Sequence, residues 1–392
     1  MNQNHPQVVF VYGGHPGSGA PHQIMAALWL ARLGYRVLCV AQGPRQHKTV
    51  TFPIAVLKVH LIPKIESVRG RLLWHVKLFA HLLYKRFRSY RHNLFYIQGH
   101  PATAAAFLAL WGVPRNRIIY HSQDFLEPGR HRVWELFERH FARRAGTVIM
   151  NEPNRARFMA SYYKLKFVPT VLRTALPAAW PWPHRDENIR MRILDRVTAP
   201  PLHLEAQLVV HYGPLVKNRC GLQIAKAISM LPSKYILVIT GVREGSHAQK
   251  ETQAILQNAG IENRSCSFPN LEYTELQDLG ASCDIGLLLY PDDGIGNYYQ
   301  APGRLSEYLR AGLSLVMPDY PNLELLNSQL KFGATCNPYD AASISFAIVN
   351  LTDAPSETLA AQREHNIECA KKYICYENEF TKLDPIISEL LS

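Results

Sequence analysis

Acid is missing from the start of this 392-residue chain: its first fifty residues contain no Asp or Glu. Residues 1–200 hold 29 Lys and Arg against 9 Asp and Glu, and residues 201–392 hold 14 against 22. The formal charge of +12 is therefore a strongly basic half joined to a mildly acidic one. A basic half of that size faces an anionic partner: a membrane surface, a lipid phosphate, a nucleotide or a nucleic acid. Long apolar runs are absent as well, and none reaches the roughly 18 residues of a membrane-spanning helix. The seven cysteines, at 39, 220, 266, 283, 336, 369 and 375, form no Cys-x-x-Cys pair. That scatter argues against a secreted disulfide scaffold and a structural zinc site, and points to the reducing cytoplasm. The chain opens MNQNHPQ and enters a strand-like run at once, so no signal peptide is expected. There is no GxxxxGK[ST] phosphate loop. Nor is there a zinc-finger or RNP motif to direct the basic half to nucleic acid.

What is present is a globular composition, 47% hydrophobic and 19% charged, at a length that suits two domains. Short apolar runs alternate with helix-length segments. In the first half, strands are expected at 8–12, 35–41, 94–98, 117–121 and 147–150. Helices are expected at 21–33, 69–91, 102–111, 131–143 and 153–162. The βαβα order implies a mostly parallel sheet covered on both faces. Residues 175–204, with prolines at 177, 181, 183, 200 and 201, break the pattern and read as a linker holding at most a short helix at 188–197. Alternation resumes with strands at 207–212, 235–240, 265–268, 284–290 and 314–317. The helices among them lie at 220–231, 246–258, 273–279, 303–311 and 322–329. Helical segments at 341–351, 355–372 and 377–391 follow. The division is an N-terminal domain over 1–174, the linker, a C-terminal domain over 205–372 and a terminal helical segment over 373–392.

Four strand ends carry polar clusters, and open α/β sheets bind ligands at the carboxyl ends of their strands. The first is GGHPGSGAPH at 13–22, running into a helix whose free N–H groups suit an anion. It is a poor nicotinamide dinucleotide site, because the acid wanted about 20 residues on is absent and the chain there reads VLCVAQ. The second is YHSQD at 120–124, where His121 is either a loop histidine capping a backbone group or a ligand-facing one. His100 is a weaker candidate of that kind. The third is HYGPLVKNRCGL at 211–222, where Lys217 and Arg219 flank a helix start as a solvated basic turn or as holders of a diphosphate. The fourth is YPDDGIGNYYQAPGRLSEYLRAG at 290–312. Arg304 and Glu307 there lie at i and i+3 on one helix face. They read as a surface ion pair, or as a phosphate cation with a carboxylate for the ribose hydroxyls.

The stretch PGRLSEYLRAGLSLVMPD resembles the P-x-K-x-x-E-Y-x-x-A-G-x-P-V segment of GT-B glycosyltransferases, most like family 4. ILVITGVREGSH, IENRSCSFPNLEYTELQDLGASCDIGLLLYP and the 211–222 turn follow in that family's order and spacing. The likeness covers nearly the whole chain, specific over 205–320 and loose over 1–175. It implies an α/β fold of two doubly wound Rossmann-like domains facing a cleft, with a C-terminal helix crossing back to the N-terminal domain through ICYENEF at 374–380. It implies that Glu307 binds the nucleotide ribose and that Arg304, where the family usually has Lys, holds the pyrophosphate with Arg219 and Lys217. The base would lie beside Gly241 and the Pro269–Leu276 turn that contains Leu271. Gly213 and Asn297 would join the nucleotide-sugar contacts, Gly17 and Gly19 would lie under the cleft, and His121 would approach the sugar or its leaving phosphate. Three positions depart from the family pattern: Tyr299 replaces the upstream Glu, Pro214 an Arg and Cys220 a Lys.

The resemblance implies transfer of a sugar from a nucleoside diphosphate to an acceptor hydroxyl, with retention at the anomeric carbon. The nucleotide sugar is a substrate, and no cofactor is expected. With no Asp-x-Asp motif in the chain, no metal is expected either. The acceptor is expected to be a glycan or lipid-linked glycan in bacterial surface polysaccharide assembly. The 69–91 helix sets Leu72, Val76, Phe79, Leu83, Phe87 and Tyr90 at helical spacing among many cations. This stripe either packs in the core or docks on an anionic membrane surface. A cytoplasmic protein, peripheral at the inner face of the cell membrane, would follow from the second case. The departures motivate the alternative of a non-catalytic GT-B protein that binds a nucleotide or a partner. Nucleic acid is not expected as a partner, and an epimerase or a pyridoxal-phosphate phosphorylase on this fold is the weaker reading.

Overall fold

The computed structural model describes residues 7–13, 24–42, 47–52, 55–62, 68–89, 93–124, 126–198 and 205–391. The chain divides into two compact units. The first comprises Met1–Trp180 with Tyr376–Ser392, and the second Pro181–Cys375.

The first unit is built on an eight-stranded sheet: β1 Gln7–Tyr12, β2 Arg36–Gln42, β3 His47–Phe52, β4 Ala55–Ile62, β5 Asn93–Gln98, β6 Ile118–Ser122, β7 Thr147–Met150 and β8 Thr170–Val171. Their order is β3-β4-β2-β1-β5-β6-β7-β8, parallel throughout except for the antiparallel β3–β4 pair. The fully buried pattern of β5 and β6 reflects near-continuous apolar runs, as befits central strands covered on both faces. β3 and β4 lie where no strand is expected from apolar runs. Their alternation of polar and β-branched residues, HKTVTF and AVLKVHLI, is the available signal for an edge pair.

Helices Val68–Ser89, Thr103–Ala109 and Arg132–Arg144 are successive crossovers between β4 and β7. Except for β4 to β5, which spans three places, each moves one place in the same direction across the sheet, so right-handed connections put all three on one face. The first of these turns part of its apolar stripe outward and not into the core. Trp74, Leu78 and Leu82 are its buried face, whereas Leu72, Val76 and Phe87 are 67%, 54% and 75% exposed.

Beneath Arg132–Arg144 lies a buried carboxylate. Glu138 is fully enclosed and accepts hydrogen bonds from Tyr120 Oη, from Ser122 Oγ at 3.0 Å and from Tyr163 Oη at 2.8 Å. Burial raises its pKa, partly offset by those three donors. A carboxyl that titrates above its unfolded value holds its proton more tightly when folded. The stability this gives is complete below the unfolded pKa and is lost as pH rises through the folded one. Glu138→Gln cannot ionise and is expected to remove that slope, up to about 1.4 kcal/mol per pH unit within the window. Urea midpoints of wild type and variant between pH 4 and 8 check this, and parallel pH profiles would refute it.

The C-terminal segment, expected as one helix, is two: Tyr376–Phe380 and Leu383–Leu391. Pro385 explains the break, since it has no N–H for the bond a continuous helix would make four residues back to Thr381. Both pieces pack on helix Met25–Arg32, where Tyr376, Phe380, Leu383, Ile387 and Leu390 join the core of the first unit.

The second unit holds a six-stranded parallel sheet: β9 Gln207–Tyr212, β10 Tyr235–Thr240, β11 Ser265–Ser267, β12 Ile285–Leu287, β13 Ser314–Pro318 and β14 Gly333–Cys336. The order is β11-β10-β9-β12-β13-β14. β14 was not foreseen, because GATC has little apolar character of its own. The stretch read as a linker is structured from Pro181 to Thr198 and belongs to this unit. Asp186 caps helix Glu187–Leu194 through the Asn188 N–H at 2.8 Å. Buried Arg190 ties the helix to the sheet through Asp284 Oδ2 at 2.9 Å and the Ser282 and Ala206 carbonyls.

Candidate functional site

In the second unit the four residues most exposed to question converge at the carboxyl end of β9. Gly213 follows that strand with φ +119° and donates its N–H to Thr240 O at 3.2 Å. Gly241, with φ +72°, ends the neighbouring β10, and a Cβ added there would stand 3.6 Å from Gly213 Cα. The two strand ends thus present bare backbone side by side, in conformations that only glycine adopts without strain. Over Gly213 lies the guanidinium of Arg304, 3.6 Å from where a Cβ would be. Helix Gly303–Arg310 carries it, and Tyr290 flanks it with its ring centroid 5.8 Å away. Burial works against the charge of Arg304, but Tyr290, Tyr308, Glu307 and Tyr212 outweigh it and raise the pKa. The cation is therefore permanent.

One turn further on, Glu307 is buried and accepts from Tyr273 Oη at 3.4 Å. Next to it, Tyr308 locks the helix to the sheet. Its hydroxyl accepts from Tyr212 N–H at 3.0 Å and donates to Leu287 O at 3.4 Å. His211, the penultimate residue of β9, is buried, and its Nδ1 has no partner among the described residues. Burial pushes its pKa down to about 3, helped by the nearby charges of Arg304 and Arg219 and opposed by a hydrogen bond to the Leu287 backbone. His211 is therefore a neutral ring.

Lys217 and Arg219 form an exposed 3-10 turn, with the Lys217 N–H held by Glu251 Oε1 at 2.9 Å. Cys220 is different. It adopts a left-handed conformation, φ +59°, and turns its thiol into the core around helix Gly221–Ser229. Burial, with Asp293 adding to it, pushes that thiol up to about 11, so this position offers no charge to a ligand. Leu271 lines a surface cavity with Phe268 and Arg196. Asn297 lies in the short turn Ile295–Tyr298 and donates to the Asp293 carboxylate. Tyr299 is half-buried, its ring 5.0 Å from that of Tyr298. His211, Tyr273 and Tyr308 have no counterpart among the residues that the sequence singles out. Nor has Gln300, buried beside Asn322, which donates to the Gln300 carbonyl at 3.0 Å; both side-chain amide atoms of Gln300 lack a partner among the described residues.

In the first unit the matching strand ends belong to β1, β5 and β6. Gly13 N–H donates to Gln98 O at 3.1 Å and Gly99 N–H to His121 O at 2.9 Å. His121 is the fourth residue of β6 rather than the first of a loop, and it is 4% exposed. Its Nδ1 stands 2.9 Å from Tyr96 Oη, and Nε2 has no partner among the described residues. A phenol donating to Nδ1 puts the ring proton on Nε2. Burial pushes the His121 pKa down to about 3, so the ring is a neutral hydrogen-bonding group and not a cation. The His100 pKa is lowered by burial as well, with Asp124 opposing. Gly17 and Gly19 lie outside the described residues.

No protein-family model matches the chain, and no curated protein matches it in sequence. Solved structures do match in shape. HepE from Anabaena, in complex with UDP and glucose, superposes with a TM-score of 0.72 at 16% identity, over 98% of this chain and 100% of that one. Sucrose-phosphate synthase from Thermosynechococcus elongatus gives 0.73 at 12%, over 98% and 99%. WaaG, a glycosyltransferase involved in lipopolysaccharide biosynthesis, gives 0.69 at 15%, over 97% and 99%. At such identities the likeness is one of fold. The fold is GT-B: two Rossmann-like units, with the C-terminal residues returned to the first.

Proposed function

We propose that the protein is a glycosyltransferase that moves a sugar from a nucleoside diphosphate to an acceptor hydroxyl. One observation carries this reading: on the GT-B fold, the Arg304 guanidinium lies over the bare backbone of Gly213, with the Glu307 carboxylate one turn along the same helix. A permanent cation over a glycine strand end suits a diphosphate, and a buried carboxylate suits paired ribose hydroxyls. Similarity to HepE, whose structure holds UDP and glucose, supports a nucleotide sugar as donor.

In the proposed reaction the bond between the anomeric carbon and the diphosphate breaks while the acceptor oxygen bonds to that carbon. The acceptor proton passes to the leaving phosphate, whose growing charge is met by Arg304, Arg219 and Lys217. This requires neither a metal nor a protein nucleophile and is compatible with retention. Gly241 and Leu271 flank the base, and Gly213 and Asn297 the sugar diphosphate. His121, neutral and with Nε2 unpartnered among the described residues, serves as a hydrogen-bonding group to the sugar. Gly17 and Gly19 complete the proposed set. The acceptor is a glycan or lipid-linked glycan of surface polysaccharide assembly.

The test is nucleotide release from UDP-, GDP-, dTDP- and CMP-sugars with membrane extract as acceptor source. Release from one donor is expected, reduced about 10- to 100-fold in Glu307→Ala through loss of a charged hydrogen-bonding partner. Nucleotide binding without release from any donor would favour a binding-only protein, the reading that the burial of Cys220 supports.

A further inference from the structure

Among the described residues the first unit has an outer face of exposed apolar side chains. On helix Val68–Ser89 the exposed apolar residues Leu72, Val76, Tyr84 and Phe87 recur at spacings of three, four or eight, a stripe along most of a helix about 33 Å long. Its neighbours extend it. His75 on this helix meets Trp134 of Arg132–Arg144 with ring centroids 5.1 Å apart, beside Val133, which is 66% exposed. At the other end Arg86 reaches across to Ala109 O at 3.3 Å, next to Trp111, which is 61% exposed. The three helices thus carry exposed apolar side chains along one side, and contiguous exposed apolar groups on a soluble chain mark a partner surface.

The same surface is basic. Among the described side chains of helix 68–89 the charged ones are Lys77, Lys85 and Arg86, all cations, and helix 132–144 has four Arg against two acids, of which Glu138 is fully buried. Cations also sit on the aromatic rings: Arg86 lies 5.6 Å from the Phe87 centroid and Arg144 lies 5.4 Å from that of Trp111. This combination selects among occupants. A nucleic acid would satisfy the cations and leave the apolar stripe wet. A second copy would bring one cationic face against another. A bilayer with anionic headgroups meets both needs, acyl chains taking Leu72, Val76, Phe87 and Trp111 while phosphates take the cations around them.

We propose that this three-helix face docks the protein on an anionic lipid bilayer. Among the described residues no helix is long and apolar enough to cross a membrane, so the contact is a surface one. The inference rests on the outer face alone and stands or falls separately from the transferase reading.

Sedimentation of the full chain with phosphatidylcholine vesicles, with and without 30% phosphatidylglycerol, tests it. Binding to the anionic vesicles is expected to be at least about tenfold tighter and to weaken with salt. The triple variant Leu72→Ser, Val76→Ser, Phe87→Ser is expected to cut it by a further factor of ten or more, with its thermal midpoint unchanged because those side chains are exposed. Lys77→Gln with Lys85→Gln should lower both affinity and salt sensitivity. Equal binding to the two vesicles, or none, would overturn the proposal. So would a triple variant that binds as wild type. Sedimentation velocity showing a dimer that the triple variant abolishes would assign the face to a second copy instead.

Discussion

Replacing Arg304 with Ala is expected to lower the rate of sugar transfer about 100- to 1,000-fold, the usual cost of losing one preorganised charge from a developing anion. Gly213 leaves the guanidinium open to a ligand from the strand side, and Tyr290, Tyr308 and Glu307 keep it charged. Arg304→Lys should fall between wild type and Ala, since it keeps the charge and loses the planar fork that grips two oxygens at once. The loss should appear in kcat more than in KM, because the charge on the leaving group peaks in the transition state. Steady-state kinetics with the identified donor, with thermal midpoints measured alongside, decide the matter. A folded alanine variant within a few-fold of wild type would remove Arg304 from the diphosphate site.

The largest expected effect on stability comes from ending the chain at Cys375. Tyr376 is fully buried, with its ring 5.4 Å from that of Trp29 and 4.2 Å from that of Phe380, and its hydroxyl donates to Met25 O. Trp29 Nε1 donates to Asp384 Oδ1 at 2.8 Å. Glu379 holds the Arg173 N–H at 2.9 Å and Glu377 the Ala178 N–H at 2.9 Å. Truncation removes five large buried side chains, each worth about 1.5–3 kcal/mol. Together they rival the whole stability of a domain, about 5–15 kcal/mol. The first unit is expected to lose its cooperative transition in calorimetry while the second keeps its own. Two transitions at their original temperatures in the truncated chain would contradict this.

Much of the fold was legible because central parallel strands are buried on both faces and so read as apolar runs: VVFVY, LFYI, LVV and YILVI all became strands. The edges were harder. β3 and β4 are patterned by alternation, and β14 is defined by its neighbour more than by its composition. The meeting of Arg304, Gly213 and Gly241 was legible because glycine-rich strand ends and a helix start punctuate the chain at the carboxyl edge of the sheet, where open α/β sheets bind ligands. Their partners were not. Nothing local marks His211, Tyr308 or Gln300 as buried, or Tyr273 as a partner of Glu307, since each is placed by elements distant in sequence. The 68–89 helix shows the limit of periodicity. It is apolar on two faces, 74–78–82 and 72–76–87, and only the sheet beneath decides which is the inner one.

The division of the chain also sets a timetable for its synthesis. The first unit needs residues up to Trp180 and again from Tyr376 onward. At about 5–20 residues per second, the ribosome takes on the order of 10–40 s between those two points. During that interval Trp29, Met25 and their neighbours wait for a partner that has not yet been made. The second unit, contiguous from Pro181 to Cys375, can close before the first is complete. The half of the protein that begins earliest is therefore the half that finishes last, and its unfinished core is where a chaperone would be needed.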